Sequence, residues 1–194
     1  MTELCKLKFY DGSIYKISTL GTENSCYFHA ALSGYNPTYI ENLDVKFRTQ
    51  MARTLRNLLA EKLDSYTVDG QRVYDLLSQG TLKTYAESVP GYSLKEMISI
   101  LQGNEQVDHR FQELLCETVG IDVYIIDHTT REPYRLCNEE IYIKHRSSVV
   151  ILYEPGHFSI LGRRESDGDF VTKFPPNDEF ILAIRKDLKS KSKN

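Results

Sequence analysis

The sequence predicts an α+β fold in which helices pack on a mainly antiparallel sheet. Apolar residues at helical spacing dominate residues 26–119, whereas short β-branched and aromatic runs separated by Gly and Pro turns dominate residues 121–184. Helices followed by strands are typical of the α+β class. The 194 residues, 41% of them hydrophobic, supply the core of a single domain, which we place at residues 1–185, with a polar tail at residues 186–194.

Composition and charge exclude several classes of protein. The net charge of −3 lacks the basic excess of nucleic-acid-binding domains. No apolar run approaches the roughly 20 residues of a membrane helix, and the N-terminal segment has no apolar signal region. Four cysteines without a CxxC pair indicate free thiols. We therefore expect a cytoplasmic monomer, in the host cytoplasm if the protein is viral or bacterial, that contacts neither membrane nor nucleic acid.

The N-terminal region predicts a β-hairpin at the periphery of the sheet. Residues 5–10 and 13–18 are rich in aliphatic and aromatic side chains. They flank Asp11-Gly12, a pair that is favoured in the two-residue type I′ turn. The sequence therefore predicts a tight turn at this pair.

Helical patterns follow. A polar loop leads into a helix that begins near Cys26 and ends before Asn36-Pro37. Asp44 suits the N-cap of the next helix, and Ser93 with Glu96 forms a capping-box pattern. The further helices are predicted at residues 44–64, 71–79, 93–101 and 106–119.

Strand patterns fill the rest of the predicted domain. Pro155-Gly156 and Pro175-Pro176 punctuate these runs as turns. The strands are predicted at residues 121–126, 149–153, 157–162 and 180–184.

Cys26 is the first candidate for chemistry. It lies where a polar loop becomes a helix, and the N–H groups and dipole of a helix N-terminus favour a thiolate, so we expect a lowered thiol pKa. The same amides can hold a developing oxyanion. The alternative is a small buried hydrophobic residue, the commonest role of free cysteine. Cys5, Cys116 and Cys137 lack this setting.

His157 is the second candidate. It follows a predicted strand and the Pro155-Gly156 turn, and it opens another apolar run. A histidine at a strand end is held firmly yet can face a cleft, which suits a general base. The alternative is a turn histidine whose ring is simply satisfied by hydrogen bonds.

Metal and cofactor sites have little support in the sequence. Cys26 and His29 form a C-x-x-H spacing, but a structural zinc site needs a second ligand pair, and Cys137 with His145 is spaced too widely. The sequence contains no Walker loop, GxGxxG, HExxH or GxSxG motif. We therefore expect neither a metal nor a cofactor.

The segment around Cys26 resembles the ovarian-tumour (OTU) family of papain-like cysteine proteases, which remove ubiquitin or related modifiers. The family's block reads Asp-Gly-Asn-Cys, then an aromatic or aliphatic residue, Phe, any residue and Ala. Residues 23–30 read ENSCYFHA, so Cys26, Phe28 and Ala30 match, while the three residues before the cysteine differ.

A second block carries the resemblance further. The family's histidine follows an apolar strand and a turn and precedes Tyr or Phe, and residues 149–158, VVILYEPGHF, fit this pattern. The order of the blocks covers residues 18–184. The resemblance implies an OTU-type papain-like fold, a Cys26 nucleophile, a His157 general base, and ubiquitin or a ubiquitin-like modifier as the partner.

The chain departs from the family at the residues that support the pair. Ser159 stands where many relatives have an Asn or Asp that orients the histidine ring. Glu23 occupies the position of the family's Asp, which makes it the third candidate catalytic residue. Asn177 is a further possible partner of His157. Two other functions stay open: a papain-like or transglutaminase-like enzyme acting on peptides, and an OTU-like module that binds ubiquitin or a partner protein with little or no turnover.

Overall fold

The computed structural model describes residues 2–134 and 145–191, so Cys137 lies outside the described residues. The strands are β1 (Thr2–Cys5), β2 (Ile14–Ile17), β3 (Asp122–Asp127), β4 (Ser148–Glu154), β5 (His157–Arg164), β6 (Phe170–Val171) and β7 (Lys173–Phe174). The helices are α1 (Cys26–Tyr35), α2 (Pro37–Glu41), α3 (Val45–Asp64), α4 (Val73–Leu76), α5 (Leu82–Ala86), α6 (Leu94–Gln102), α7 (Gln112–Val119) and α8 (Glu179–Lys191).

The strands form one sheet in the order β1-β2-β5-β4-β3, with β6 beside β5 and β7 beside β4. Only the β3–β4 pair is parallel among the described pairs, so the sheet is mainly antiparallel. A tight turn joins β4 to β5, and Gly156 supplies the positive φ of 80° there. The predicted α+β class and mainly antiparallel sheet are therefore confirmed.

Helices cover both faces of the sheet. Alternate residues of a strand point to opposite faces, so Val149 and Ile151 of β4 pack with helices α1, α3, α6 and α7, whereas Val150 and Leu152 pack against α8. The front-half helices lie on one face, as expected. The helix on the second face was not predicted.

That second-face helix corrects a predicted strand. Residues 180–184 lie in α8 rather than in the sheet. Phe180, Ile184 and Leu188 are buried at a spacing of four residues, whereas Leu182 between them is 50% exposed, which is a helical pattern. A five-residue apolar run does not distinguish a strand from a buried helix segment. Helix α8 also includes residues 186–191, which were predicted to be tail.

The N-terminal hairpin forms, but its turn differs from the prediction. Cys5 pairs with Ile14, so residues 6–13 form the connecting loop, and Asp11-Gly12 does not adopt the positive φ angles of a type I′ turn. The ring of Tyr10 packs on Phe180, and this contact draws the loop over α8. Strand β2 pairs with β5, so the hairpin extends the main sheet.

The caps of two predicted helices are confirmed. Asp44 accepts from the N–H of Phe47 at 2.7 Å, and Ser93 with Glu96 forms the capping box of α6. The other two helices are shorter than predicted and are accompanied by 3-10 turns at Leu77–Gly80 and His109–Phe111. No helix among the described residues is long and apolar enough to cross a membrane.

Candidate active site

Cys26 is the first residue of α1, as the sequence predicted, and its side chain is only 4% exposed. Helix α1 packs against β4 and β5, and eight of its ten residues are buried. Two loops flank the thiol. We call residues 21–25 the cysteine loop and residues 103–107 the flanking loop.

His157 begins β5, and the structure brings it to the cysteine loop. A side chain built on Gly21 would lie 3.8 Å from both Nδ1 and Cε1 of the imidazole, which is ordinary van der Waals contact. The backbone of Phe158, the residue after His157, is among the groups that lower the pKa of the Cys26 thiol, and helix α1 packs against β5. The two sequence candidates therefore both lie beside the cysteine loop.

Burial is the largest influence on the Cys26 thiol, and it raises the thiol pKa above its ordinary value. Hydrogen bonds from the backbone of Phe158, Tyr27 and Cys26 and from the side chain of Gln106 oppose this effect without cancelling it. The expectation of a lowered pKa from the helix terminus was wrong, because desolvation outweighs the favourable N–H groups.

The cysteine loop holds an unusual backbone conformation. Glu23 and Asn24 both have left-handed backbone angles, with φ of 52° and 54°. Non-glycine residues in this region cost about 1–3 kcal/mol each and persist only where neighbouring contacts fix them. Two such contacts come from the flanking loop: Asn24 Nδ2 donates to the Asn104 carbonyl at 2.7 Å, and the Val107 N–H donates to the Asn24 carbonyl at 3.1 Å.

Glu23, the third predicted catalytic residue, directs its carboxylate to helix α3. Its Oε2 accepts from Arg53 Nε at 3.0 Å, and the two side chains are 38% and 42% exposed. The carboxylate is thus engaged at the rim of the loop by a partly exposed ion pair. A catalytic role for Glu23 stays a prediction.

Arg56 is a site residue that sequence reasoning missed. Its side chain is 3% exposed, although guanidinium groups are rarely buried. The signal was its place on the apolar face of α3, four residues from Ala52 and from Ala60. Its donors reach five backbone carbonyls and one hydroxyl: the carbonyls of Glu23, Ile100, Leu101, Gly103 and Glu105, and Oγ of Ser25.

The residues considered for orienting His157 have other partners. Ser159 is 1% exposed, and its hydroxyl donates to Oε2 of Glu154 at 3.4 Å. Oε1 of Glu154 in turn accepts from Lys16 Nζ at 2.9 Å. Asn177 is exposed in the turn before α8, beside Asp178, whose carboxylate pairs with Arg163. The described contacts of these residues do not include the His157 ring.

His29 has a structural role in the site. Nε2 lies 2.8 Å from the Thr22 hydroxyl and Nδ1 lies 2.7 Å from the Tyr39 hydroxyl, so both ring nitrogens have partners. Burial lowers the pKa of His29 to about 4. The ring therefore ties the cysteine loop to α1 and α2. This arrangement leaves no nitrogen for the metal site considered from the C-x-x-H spacing.

Two solved structures are similar to this chain. The structure of an ovarian tumor (OTU) domain in complex with ubiquitin matches with a TM-score of 0.58 and 14% identity, over 93% of this chain and 85% of that chain. The structure of the Hazara virus OTU bound to ubiquitin matches with a TM-score of 0.47 and 15% identity, over 82% of this chain and 87% of that chain. No family model and no curated protein matches the sequence. The chain has an OTU-type fold, as the resemblance at Cys26 and His157 predicted.

Proposed function

We propose that this protein is a cysteine-dependent deubiquitinase. It hydrolyses the isopeptide bond after the C-terminal glycine of ubiquitin or a ubiquitin-like modifier, with Cys26 as the nucleophile and His157 as the general base. The observation that carries the proposal is the placement of Cys26 at the start of α1, a helix that packs against the strand that His157 begins. The similarity to an OTU domain in complex with ubiquitin supports the choice of modifier.

The reaction is a nucleophilic acyl transfer in two stages. His157 takes the thiol proton as the Cys26 sulfur bonds to the glycine carbonyl carbon, and the carbonyl electron pair moves to oxygen. Backbone N–H groups near Asn24 and Cys26 hold this oxyanion. When the carbonyl re-forms, the C–N bond breaks, and protonated His157 gives its proton to the departing lysine amine. Water then attacks the thioester with His157 as base, and the thiol regains a proton.

The raised thiol pKa affects the first step. A buried thiol with a raised pKa rests in its neutral form. The thiol proton therefore moves to His157 during the attack on the carbonyl. It does not move before the attack, so the resting enzyme does not hold a thiolate. Ubiquitin binding that adds donors around the sulfur favours this transfer.

The burial of the Cys26 thiol also favours a second function, a module that binds ubiquitin or a partner protein without efficient turnover. The thiol is buried, and Ser159, which stands in place of an orienting Asn or Asp, gives its hydrogen bond to Glu154. A binding module needs neither a reactive thiol nor an oriented imidazole.

Di-ubiquitin cleavage separates these functions. We expect the wild-type protein to cut di-ubiquitin and to bond covalently to ubiquitin that carries a C-terminal propargylamide. Cys26→Ala should abolish both reactions and keep ubiquitin binding, and His157→Ala should be nearly as severe because the pair acts as a unit. Cys5→Ala, at another buried thiol, is the control that should stay active. Neither cleavage nor covalent capture would favour the binding module, because a pure binder does not label, and cleavage of peptides alone would favour the enzyme that acts on peptides.

A further inference from the structure

Arg56 joins the two loops that flank the Cys26 thiol. Nη1 donates to the Glu23 carbonyl at 3.2 Å and to Ser25 Oγ at 3.0 Å, both in the cysteine loop. Nη2 donates to the carbonyls of Gly103 at 2.7 Å and Glu105 at 3.1 Å in the flanking loop. One rigid, planar group therefore fixes the distance between these loops.

The charge of this group has no ion-pair partner in the described part of the chain. All six of its acceptors are neutral oxygens, and the carboxylate of Glu23 pairs with Arg53 instead. The carboxylates of Glu23 and Glu105 act on this buried cation from beyond ion-pair distance, so its field is less neutralised than that of the exposed Glu23–Arg53 pair. The field of Arg56 falls on the residues immediately before Cys26, where the proposed reaction creates a negative charge.

The hydrogen bonds also act on one peptide unit. The Glu23 carbonyl accepts from Arg56 and, at 3.1 Å, from the Ser25 hydroxyl. Donors on a carbonyl polarise its peptide group, which makes the N–H on the other side, that of Asn24, a stronger donor. The same bonds hold Glu23 and Asn24 in the left-handed conformation that each otherwise disfavours.

We propose that Arg56 is a positioning residue for acyl transfer. Its guanidinium holds the cysteine loop in the conformation that presents N–H groups to the oxyanion, and its charge stabilises that oxyanion. This role rests on the proposed function, since the oxyanion forms only when Cys26 attacks a carbonyl.

Two reactions of the same thiol test this role. Cleavage of di-ubiquitin passes through an oxyanion, whereas alkylation by iodoacetamide forms the S–C bond as the C–I bond breaks and creates no oxyanion. Alkylation of Cys26 is followed by peptide mass spectrometry, so that the other thiols do not interfere. The variants are Arg56→Met, Arg56→Lys and the control Arg53→Met, which removes the neighbouring exposed arginine of the same helix.

We expect Arg56→Met to lower kcat at least about 100-fold, with KM and the alkylation rate within about threefold of wild type. Arg56→Lys keeps the positive charge but loses the planar guanidinium with its several donors. Its kcat should therefore lie between those of wild type and Arg56→Met. Arg53→Met should keep kcat within about threefold, because exposed ion pairs contribute little. Thermal unfolding identifies temperatures at which each variant is folded.

Three results would overturn the role of Arg56. These are full kcat in folded Arg56→Met, an equal loss of alkylation and cleavage, and failure of both Arg56 variants to fold at any temperature, which would make the residue structural alone. If the wild-type protein leaves di-ubiquitin uncut, the proposed function itself fails and this role with it. An active wild type with an equally active Arg56→Met overturns only the role of Arg56.

Discussion

Ser159 lies two residues after His157 on β5, and its hydroxyl donates to Oε2 of Glu154 at 3.4 Å. The other oxygen of Glu154 accepts from Lys16 at 2.9 Å and lies 3.6 Å from Nδ1 of His128. The position that resembles the orienting Asn or Asp of many OTU-family members therefore holds a hydroxyl that is already committed to a carboxylate network.

Ser159→Ala should have a small effect on catalysis. The substitution removes one neutral hydrogen bond, typically worth about 1 kcal/mol, so we expect a loss of less than about tenfold in the initial rate on di-ubiquitin. A loss beyond about 100-fold would mean that the hydroxyl orients the imidazole during turnover, since one neutral bond does not account for more.

Glu154→Gln should lower activity more than Ser159→Ala does. Glu154 lies directly opposite His157 in the β4–β5 pair, so the two side chains are cross-strand neighbours on one face of the sheet. We expect a loss of about tenfold in kcat, as for an ionic interaction partly screened by Lys16 and solvent. Glu165→Gln, which removes a carboxylate near Arg163 at the other end of β5, is the matched control. Equal kcat in the two variants would exclude an electrostatic contribution from Glu154.

Glu23→Gln should leave the reaction nearly unchanged. The carboxylate pairs with Arg53 where both side chains are more than a third exposed, and such pairs contribute at most about 1 kcal/mol. We expect a rate within about fivefold of wild type, and the same rate for Arg53→Gln and for the double variant. A loss of several hundredfold confined to Glu23→Gln would instead establish Glu23 as a member of the catalytic machinery.

The sequence predicted the parts of this fold that local signals determine. Asp44 and Ser93 are N-caps whose side chains satisfy helix amides a few residues away. Cys26 and His157 also lie where their local patterns placed them. In each case the residues that determine the local structure lie close together in the sequence.

The mispredicted parts depend on contacts that are distant in sequence. Tyr10 reaches α8 and donates to Glu179, a contact that no pattern near Asp11-Gly12 indicates. The turn preference of Asp11-Gly12 was therefore overridden by tertiary packing. Likewise, the pKa of Cys26 is raised by its burial in the folded protein, whereas the sequence around the cysteine contains only the favourable helix terminus.

Gln106→Ala should lower kcat, because the substitution removes an amide that can donate to the oxyanion. The Gln106 side chain belongs to the flanking loop and is among the groups that lower the pKa of the Cys26 thiol, so its amide lies near the atom that attacks the carbonyl. Removal of one oxyanion donor typically lowers kcat by about 100-fold or more, and we expect a loss of about 10- to 100-fold because backbone donors remain. Gln102→Ala, at an exposed residue at the end of α6, is the control. Unchanged kcat in Gln106→Ala would assign the contact to the resting thiol alone.

Stability should fall in mild acid because of His29. The pKa of this buried ring is about 4 in the folded protein, against 6.5 for a free histidine. Between these values the unfolded chain binds a proton that the folded chain does not, so the free energy of unfolding rises with pH in this window. The stabilisation is complete above pH 6.5 and is lost as the pH falls to 4, with a total of about 3 kcal/mol.

Urea unfolding of wild type and His29→Gln between pH 4 and 7 measures this loss of stability. The variant should be less stable at pH 7, because it loses the Thr22 and Tyr39 contacts, but its stability should depend less steeply on pH. His145→Gln, at an exposed histidine, controls for the substitution itself. Parallel slopes in wild type and His29→Gln would mean that His29 does not contribute to the acid sensitivity of the fold.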